Sequence, residues 1–192
     1  VASALAILVF SPVMLITALA IKIEDPHGKV LYKAPRGGKD RVPFACYKFR
    51  SMYANADAIK EQLMAQNEMS GPVFKITNDP RVTKVGRIIR KASIDELPQL
   101  LNIFMGEMSF VGPRPERPTV YDDLDGKVEN FRSRMQVMPG LTGYAQVNGG
   151  YDLNPAEKLK YDLIYINHCS VLFDLWCLLK TIPVVFTMKG AR

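Results

Sequence analysis

No charged residue occurs among the first 21 of 192 residues, and side chains that build metal or disulfide frameworks are scarce throughout. Three cysteines, Cys46, Cys169 and Cys177, are an odd number without metal-ligand spacing. They suit a reducing compartment and a packing role. Two isolated histidines, His27 and His168, cannot complete a zinc site. Gly37-Gly38-Lys39 is not a phosphate loop, because Lys33 stands where its first glycine belongs and no Ser or Thr follows Lys39. The acidic run 121–126 lacks the remaining ligands of a calcium loop. The glycine-rich run 138–150 reads as a ligand-side loop without a dinucleotide fingerprint. No repeat or low-complexity linker divides the chain, so one compact unit is expected.

What is present begins with that uncharged run, Val1 to Ile21. As a helix it spans about 31 Å, the thickness of a bilayer core. Pro12 removes one helical hydrogen bond, and Ser11 is placed to satisfy the carbonyl so freed. Three readings fit: a kinked span, a re-entrant helix turning at Ser11-Pro12, or a signal peptide cleaved after Ala18-Leu19-Ala20. Length and the lack of a preceding basic region argue against cleavage. The chain opens on Val1 rather than Met, so upstream sequence is expected.

The next segment is basic, in keeping with a net charge of +6. Residues 29–52 predict two strands around a glycine-rich turn. Lys48 and Arg50 share one strand face, positioned to hold an anion or to be solvated, and spacing favours solvation. Residues 53–68 predict a surface helix. Arg81, Lys84, Arg87, Arg90 and Lys91 then form a basic stripe beside Val85, Ile88 and Ile89. An anionic membrane surface suits that stripe better than nucleic acid, because stacking aromatics are missing.

The run Ser93-Ile94-Asp95-Glu96 has two readings: the capping box of an ordinary helix, or a carboxylate pair that does chemistry. Pro98 disfavours a cap at Ser93, since it would fall where a helical N–H is needed. A helix beginning at Asp95 moves Pro98 into the first turn and sets Asp95 among unpaired N–H groups that hold anions. Beyond it, Pro113 and Pro115 stiffen the backbone around Arg114, as a rigid surface turn or as a grip on an anionic ligand. The end of the chain predicts an amphipathic helix opened by Ser170 and broken near Pro183. Its face of Leu172, Leu175, Trp176 and Leu179 suits a bilayer surface or a core equally.

Four blocks in order, residues 10–25, 44–52, 92–118 and 139–149, closely resemble the bacterial sugar transferase family. These are monotopic polyprenyl-phosphate phosphoglycosyl transferases that initiate exopolysaccharide, capsule or O-antigen synthesis. The resemblance covers nearly the whole chain, and the DELPQ and FVGPRP blocks together are highly specific. It implies an α+β, mostly helical fold. A re-entrant helix broken at Ser11-Pro12 (residues 1–22) would precede a cytoplasmic-face catalytic domain (23–192), with a small β-hairpin and amphipathic interfacial helices. It implies that Asp95 attacks the sugar-bearing phosphorus of a UDP-sugar, releases UMP and passes the sugar phosphate to undecaprenyl phosphate. Glu96 would be metal ligand or base, and Asp95 and Glu96 would share Mg2+. Arg90 would keep Asp95 ionised, Lys48 would lie near the active site, and Arg114 would meet the nucleotide. Partners would include inner-membrane lipids and no nucleic acid, with room for a homo-oligomer. Gly150 stands where many relatives carry Arg. Two rivals remain, an exported hydrolase with paired carboxylates and a non-catalytic membrane-surface scaffold.

Overall fold

The computed structural model describes residues 1–60, 79–149 and 153–187. Most of the predicted surface helix at 53–68, and Gly150, lie outside these residues; α2 (Ala56–Lys60) is its described part. Helices predominate around two small sheets, as expected of the fold class.

α1 (Ala2–Glu24) continues through Pro12 instead of ending there. The reason is local: the Leu8 carbonyl, which an N–H at position 12 would have capped, accepts Ser11 Oγ at 2.7 Å. Leu5, Leu8, Val9, Leu15, Ile16 and Leu19 are exposed, and only Ser3, Thr17 and Ile21 are buried. Among the described residues α1 is the one helix long and apolar enough to cross a membrane.

The expected hairpin forms from β1 (Leu31–Gly37) and β2 (Pro43–Phe49), paired antiparallel with Tyr32 opposite Lys48 and Arg36 opposite Phe44. Ile21, Phe49 and Ile89 make a core that ties α1 to the hairpin and to α3 (Lys84–Lys91). The tie is also polar. The Glu24 carboxylate accepts the Lys84 and Val85 amides at 2.7 and 2.9 Å, and Thr83 Oγ1 accepts Gly86 at 2.8 Å. Together they satisfy the first donors of α3.

The predicted basic stripe is shorter than its spacing implies. Arg81 is buried and forks onto Asp79, while Arg90 donates to Ser51 Oγ at 2.8 Å. Lys84, Arg87 and Lys91 remain exposed.

α4 (Gln99–Phe104) leads to β3 (Ser109–Val111), and α5 (Pro118–Leu124) follows. β3 pairs in parallel with β4 (Gly140–Thr142). A Cβ on Gly140 would stand 2.1 Å from the Gly112 amide nitrogen, so only glycine lets these two segments touch backbone to backbone. That contact joins the FVGPRP block to the glycine-rich block.

α6 (Tyr144–Gly149) and α7 (Pro155–His168) follow, and α8 (Val171–Thr187) is the last described element. Ser170 Oγ accepts the Phe173 amide at 3.2 Å, the expected opening. The helix then passes through Pro183 to Thr187 rather than breaking there. Its inward face centres on buried Cys177, packed with Val111 and Tyr165. Leu172, Leu175, Leu179 and Ile182 lie outside, exposed.

Candidate active site

The two carboxylates lie on a 3-10 turn, Ile94–Glu96, between α3 and α4. Ser93 precedes the turn without capping it by its side chain: its φ of 55° is left-handed and its hydroxyl makes no capping bond. It closes α3, donating its amide to the Arg90 carbonyl at 3.1 Å. The helix expected to start at Asp95 is divided, a 3-10 turn followed by α4 with Pro98 at its N-cap. The turn uses the nearby N–H groups itself. Glu96 donates to Ser93 O, Leu97 to Ile94 O, Leu100 to Leu97 O and Leu101 to Pro98 O. Four of the nearby amides are therefore used within the chain's own turn, and cationic side chains gather beside the carboxylates.

Lys48 reaches Glu96 Oε1 at 2.5 Å. Arg114 grips the same carboxylate with two prongs, Nη2 to Oε1 at 2.5 Å and Nη1 to Oε2 at 3.2 Å. Lys48 is thus paired, not solvated, and the Arg50 beyond it pairs with Asp25. The Glu96 side chain is 14% exposed. Burial alone would raise its pKa, but Arg114 and Lys48 overcome this and hold the carboxyl far below the usual range.

Asp95 lies in the opposite condition. Among the described residues its carboxylate accepts no hydrogen bond. Burial pushes its pKa up to about 6, with Glu96 adding to the rise and Lys48, Arg90 and Arg114 opposing it. It is still roughly nine-tenths ionised at neutral pH. Arg90 acts on it through its field, since its Nε is committed to Ser51.

The alignment of these groups has long-range causes. Asn102 is fully buried, accepts the Tyr47 amide at 2.9 Å and donates to the Ala45 carbonyl at 2.8 Å. Its amide thereby extends the β2 edge and sets Lys48 in register with the carboxylate turn. Arg114 lies between buried Pro113 and Pro115, and the Gly140 amide donates to the Pro113 carbonyl at 3.0 Å. Arg36, on the Lys48 face of the hairpin, lies in the fields of Arg114, Arg117 and Glu116. It forms no hydrogen bond or ion pair among the described residues.

Sequence reasoning singled out neither Arg36 nor Asn102. The signal for Asn102 was a polar residue inside the apolar run Leu100–Phe104; for Arg36 it was position, two residues from Ala34 on an alternating strand.

One long apolar helix leads into a domain whose carboxylate pair is ringed by lysine and arginine, the arrangement of a site that can receive an anion. The chain belongs to the bacterial sugar transferase family, whose model matches residues 1–188. It is 41% identical, over 99% of its length and 84% of the relative's, to exopolysaccharide production protein ExoY of Rhizobium meliloti. It is also 41% identical to a UDP-N-acetylgalactosamine-undecaprenyl-phosphate N-acetylgalactosaminephosphotransferase of Aeromonas hydrophila, of which it spans 43%. A UDP-glucose:undecaprenyl-phosphate glucose-1-phosphate transferase of Caulobacter vibrioides is 40% identical, with 69% of its length covered. The chain therefore spans about two fifths of some curated relatives and most of others.

Proposed function

We propose that the protein transfers a sugar 1-phosphate from a UDP-sugar to undecaprenyl phosphate and so begins the assembly of a surface polysaccharide. A carboxylate oxygen of Asp95 attacks the sugar-bearing phosphorus. The bond to the bridging oxygen breaks and UMP leaves with that electron pair, giving a sugar-phosphoryl aspartate. A phosphate oxygen of undecaprenyl phosphate then attacks the same phosphorus and Asp95 departs as carboxylate. Both nucleophiles are anions, so neither step needs a general base, and the hard transfer is divided into two easier ones.

The observation that carries this reading is an Asp95 carboxylate that accepts no hydrogen bond among the described residues, beside a Glu96 already paired with Lys48 and Arg114. Arg36 and Arg114 favour the nucleotide diphosphate, with Arg90 supporting the charge near Asp95.

Magnesium belongs to the reading as the cation that offsets the diphosphate charge. The donor set fits it. The Asp95 carboxylate accepts no hydrogen bond among the described residues, which leaves it able to meet a cation. Magnesium commonly takes one or two carboxylates with substrate phosphates. Glu96 would join Asp95 as a ligand on loosening from Arg114.

For placement, residues 1–22 form the membrane element and 23–192 the catalytic domain on the cytoplasmic face of the inner membrane. In a bilayer the helix bends at Ser11-Pro12 and returns to the face it entered. The exposed outer row of α8 and the end of α4, where Phe104 is 62% exposed, rest on lipid.

The test uses a panel of UDP-sugars with magnesium and undecaprenyl phosphate. Wild type releases UMP and Asp95→Asn does not; equal release by both contradicts the proposal. A scaffold would release none in either form. A hydrolase would release free sugar without the lipid acceptor.

A further inference from the structure

Beneath the loop that carries Arg114 lies a charge screened from water. Arg134, on a 3-10 turn at Phe131–Gln136, has a side chain 0% exposed. Its Nη2 lies 2.7 Å from Oδ2 of Asp162 on α7, which is 1% exposed. Phe131 covers the guanidinium at 5.0 Å. Glu116 approaches Nη1 at 3.8 Å and is shared with Lys158 at 3.4 Å.

A buried ion pair is by itself weak evidence for stability, because apolar replacements of equal volume are often neutral or better. This pair does something an apolar pair cannot. The same Nη2 donates at 3.1 Å to the backbone carbonyl of Arg114. The peptide before Arg114 is held by the Gly140 amide on the Pro113 carbonyl, and the peptide after it by Arg134. With both flanking peptides fixed and prolines on either side, the direction in which the Arg114 side chain leaves the backbone is set, and that direction is the one from which it reaches Glu96.

We infer that Arg134, with Asp162 as its counter-ion, is a positioning residue that aims the Arg114 guanidinium at Glu96 and at the phosphate of the incoming nucleotide. The substrate half of this statement rests on the transferase reading above; the aiming of Arg114 does not. Asp162 holds the Arg134 guanidinium in place, and Arg134 holds the Arg114 peptide. Neither side chain is open to solvent.

The decisive experiment removes both charges from the full chain in detergent, as Arg134→Met/Asp162→Leu. Phenylglyoxal modification of arginines is followed by peptide mass spectrometry, with Arg90 as the internal reference. We expect Arg114 to react at least five-fold faster than in wild type while Arg90 keeps its rate and the melting temperature stays within a few degrees. An unchanged Arg114 rate in the folded variant overturns the proposal. So does a rise shared by Arg90, which would mark general loosening. If the double variant does not fold, Arg134→Lys is judged by the same two rates. Kinetics give the consequence: KM for the UDP-sugar rises about ten-fold, with KM for undecaprenyl phosphate changed less than two-fold. Faster modification of Arg114 with an unchanged KM would sink the nucleotide role of Arg114 and leave its positioning by Arg134 intact.

Discussion

The two sides of the Ile94–Glu96 turn are built in opposite ways. On one side Glu96 is clamped by three short contacts from two cations, and on the other Asp95 accepts no hydrogen bond among the described residues. Two identical functional groups, adjacent in the chain, are thereby driven apart in pKa, Glu96 strongly downward and Asp95 to about 6. Divergence of this kind separates a carboxylate that organises a site from one left available to react. The clamp also spends the charge of Lys48 and Arg114 on Glu96, so Asp95 feels them only at a distance.

Several substitutions break or sharpen that contrast. The largest effect belongs to Asp95→Asn, which should reduce sugar-phosphate transfer by at least about 10³-fold in a UMP-release assay. It should also stabilise the protein. A folded pKa raised above the unfolded value favours the protonated form, so the ionised carboxylate costs stability increasingly as pH rises from about 4 to 6. Thermal denaturation at pH 7 should show a gain of ~1–3 kcal/mol, discounted for partial solvent access, that disappears below pH 4.

Glu96→Gln should do the reverse. It strands Lys48 and Arg114, and a folded pKa held low contributes stability that is complete above the ordinary carboxylate range and lost only in strong acid. We expect a loss of about 2–4 kcal/mol in chemical denaturation at pH 7 and a fall in activity of about 10²-fold. Opposite signs of stability for two neighbouring acid-to-amide changes would be hard to obtain from any other arrangement.

The third effect is on pH dependence. kcat/KM should fall on the acid side with an apparent pKa near 6, as Asp95 takes up a proton. Asn102→Leu comes next. It leaves the Tyr47 amide and Ala45 carbonyl without their partner, costs about 1–3 kcal/mol, and lowers activity about ten-fold through the register of Lys48. The smallest effect is that of Ser93→Gly, which suits a left-handed φ and should change the melting temperature by no more than a few degrees.

Local chemistry made part of this legible in the sequence. The hairpin followed from Gly37-Gly38 between alternating strands, the bilayer-length helix from composition, and the role of Ser11 from the single carbonyl that Pro12 must free. The capping box read at Ser93–Glu96 does not form, because Ser93 is left-handed and the Glu96 side chain turns to Lys48 and Arg114. What sequence reasoning missed is non-local. Glu96 meets Lys48 from 48 residues away and Arg114 from 18, Arg134 meets Asp162, and no periodicity encodes such pairs. The same limit explains Arg81 and Arg90. Their spacing placed them on an exposed stripe, whereas Asp79 and Ser51 draw them inward. On α8 the row of leucines taken as one face is the outer one, because the aromatic cluster of Tyr144, Tyr165 and Phe173 claims the Cys177 side. Each of these is a choice made by packing between segments.

The central claim is that Asp95 becomes covalently phosphorylated by the sugar phosphate, as an acyl phosphate. It is tested most directly by incubating the protein with its UDP-sugar and magnesium without lipid acceptor, quenching in acid and mapping peptides by mass spectrometry. The account predicts one sugar phosphate added on the peptide containing Asp95, discharged when undecaprenyl phosphate is supplied. Protein that turns over steadily in the complete reaction, yet leaves that peptide unmodified at every quench time with and without the acceptor, would contradict it.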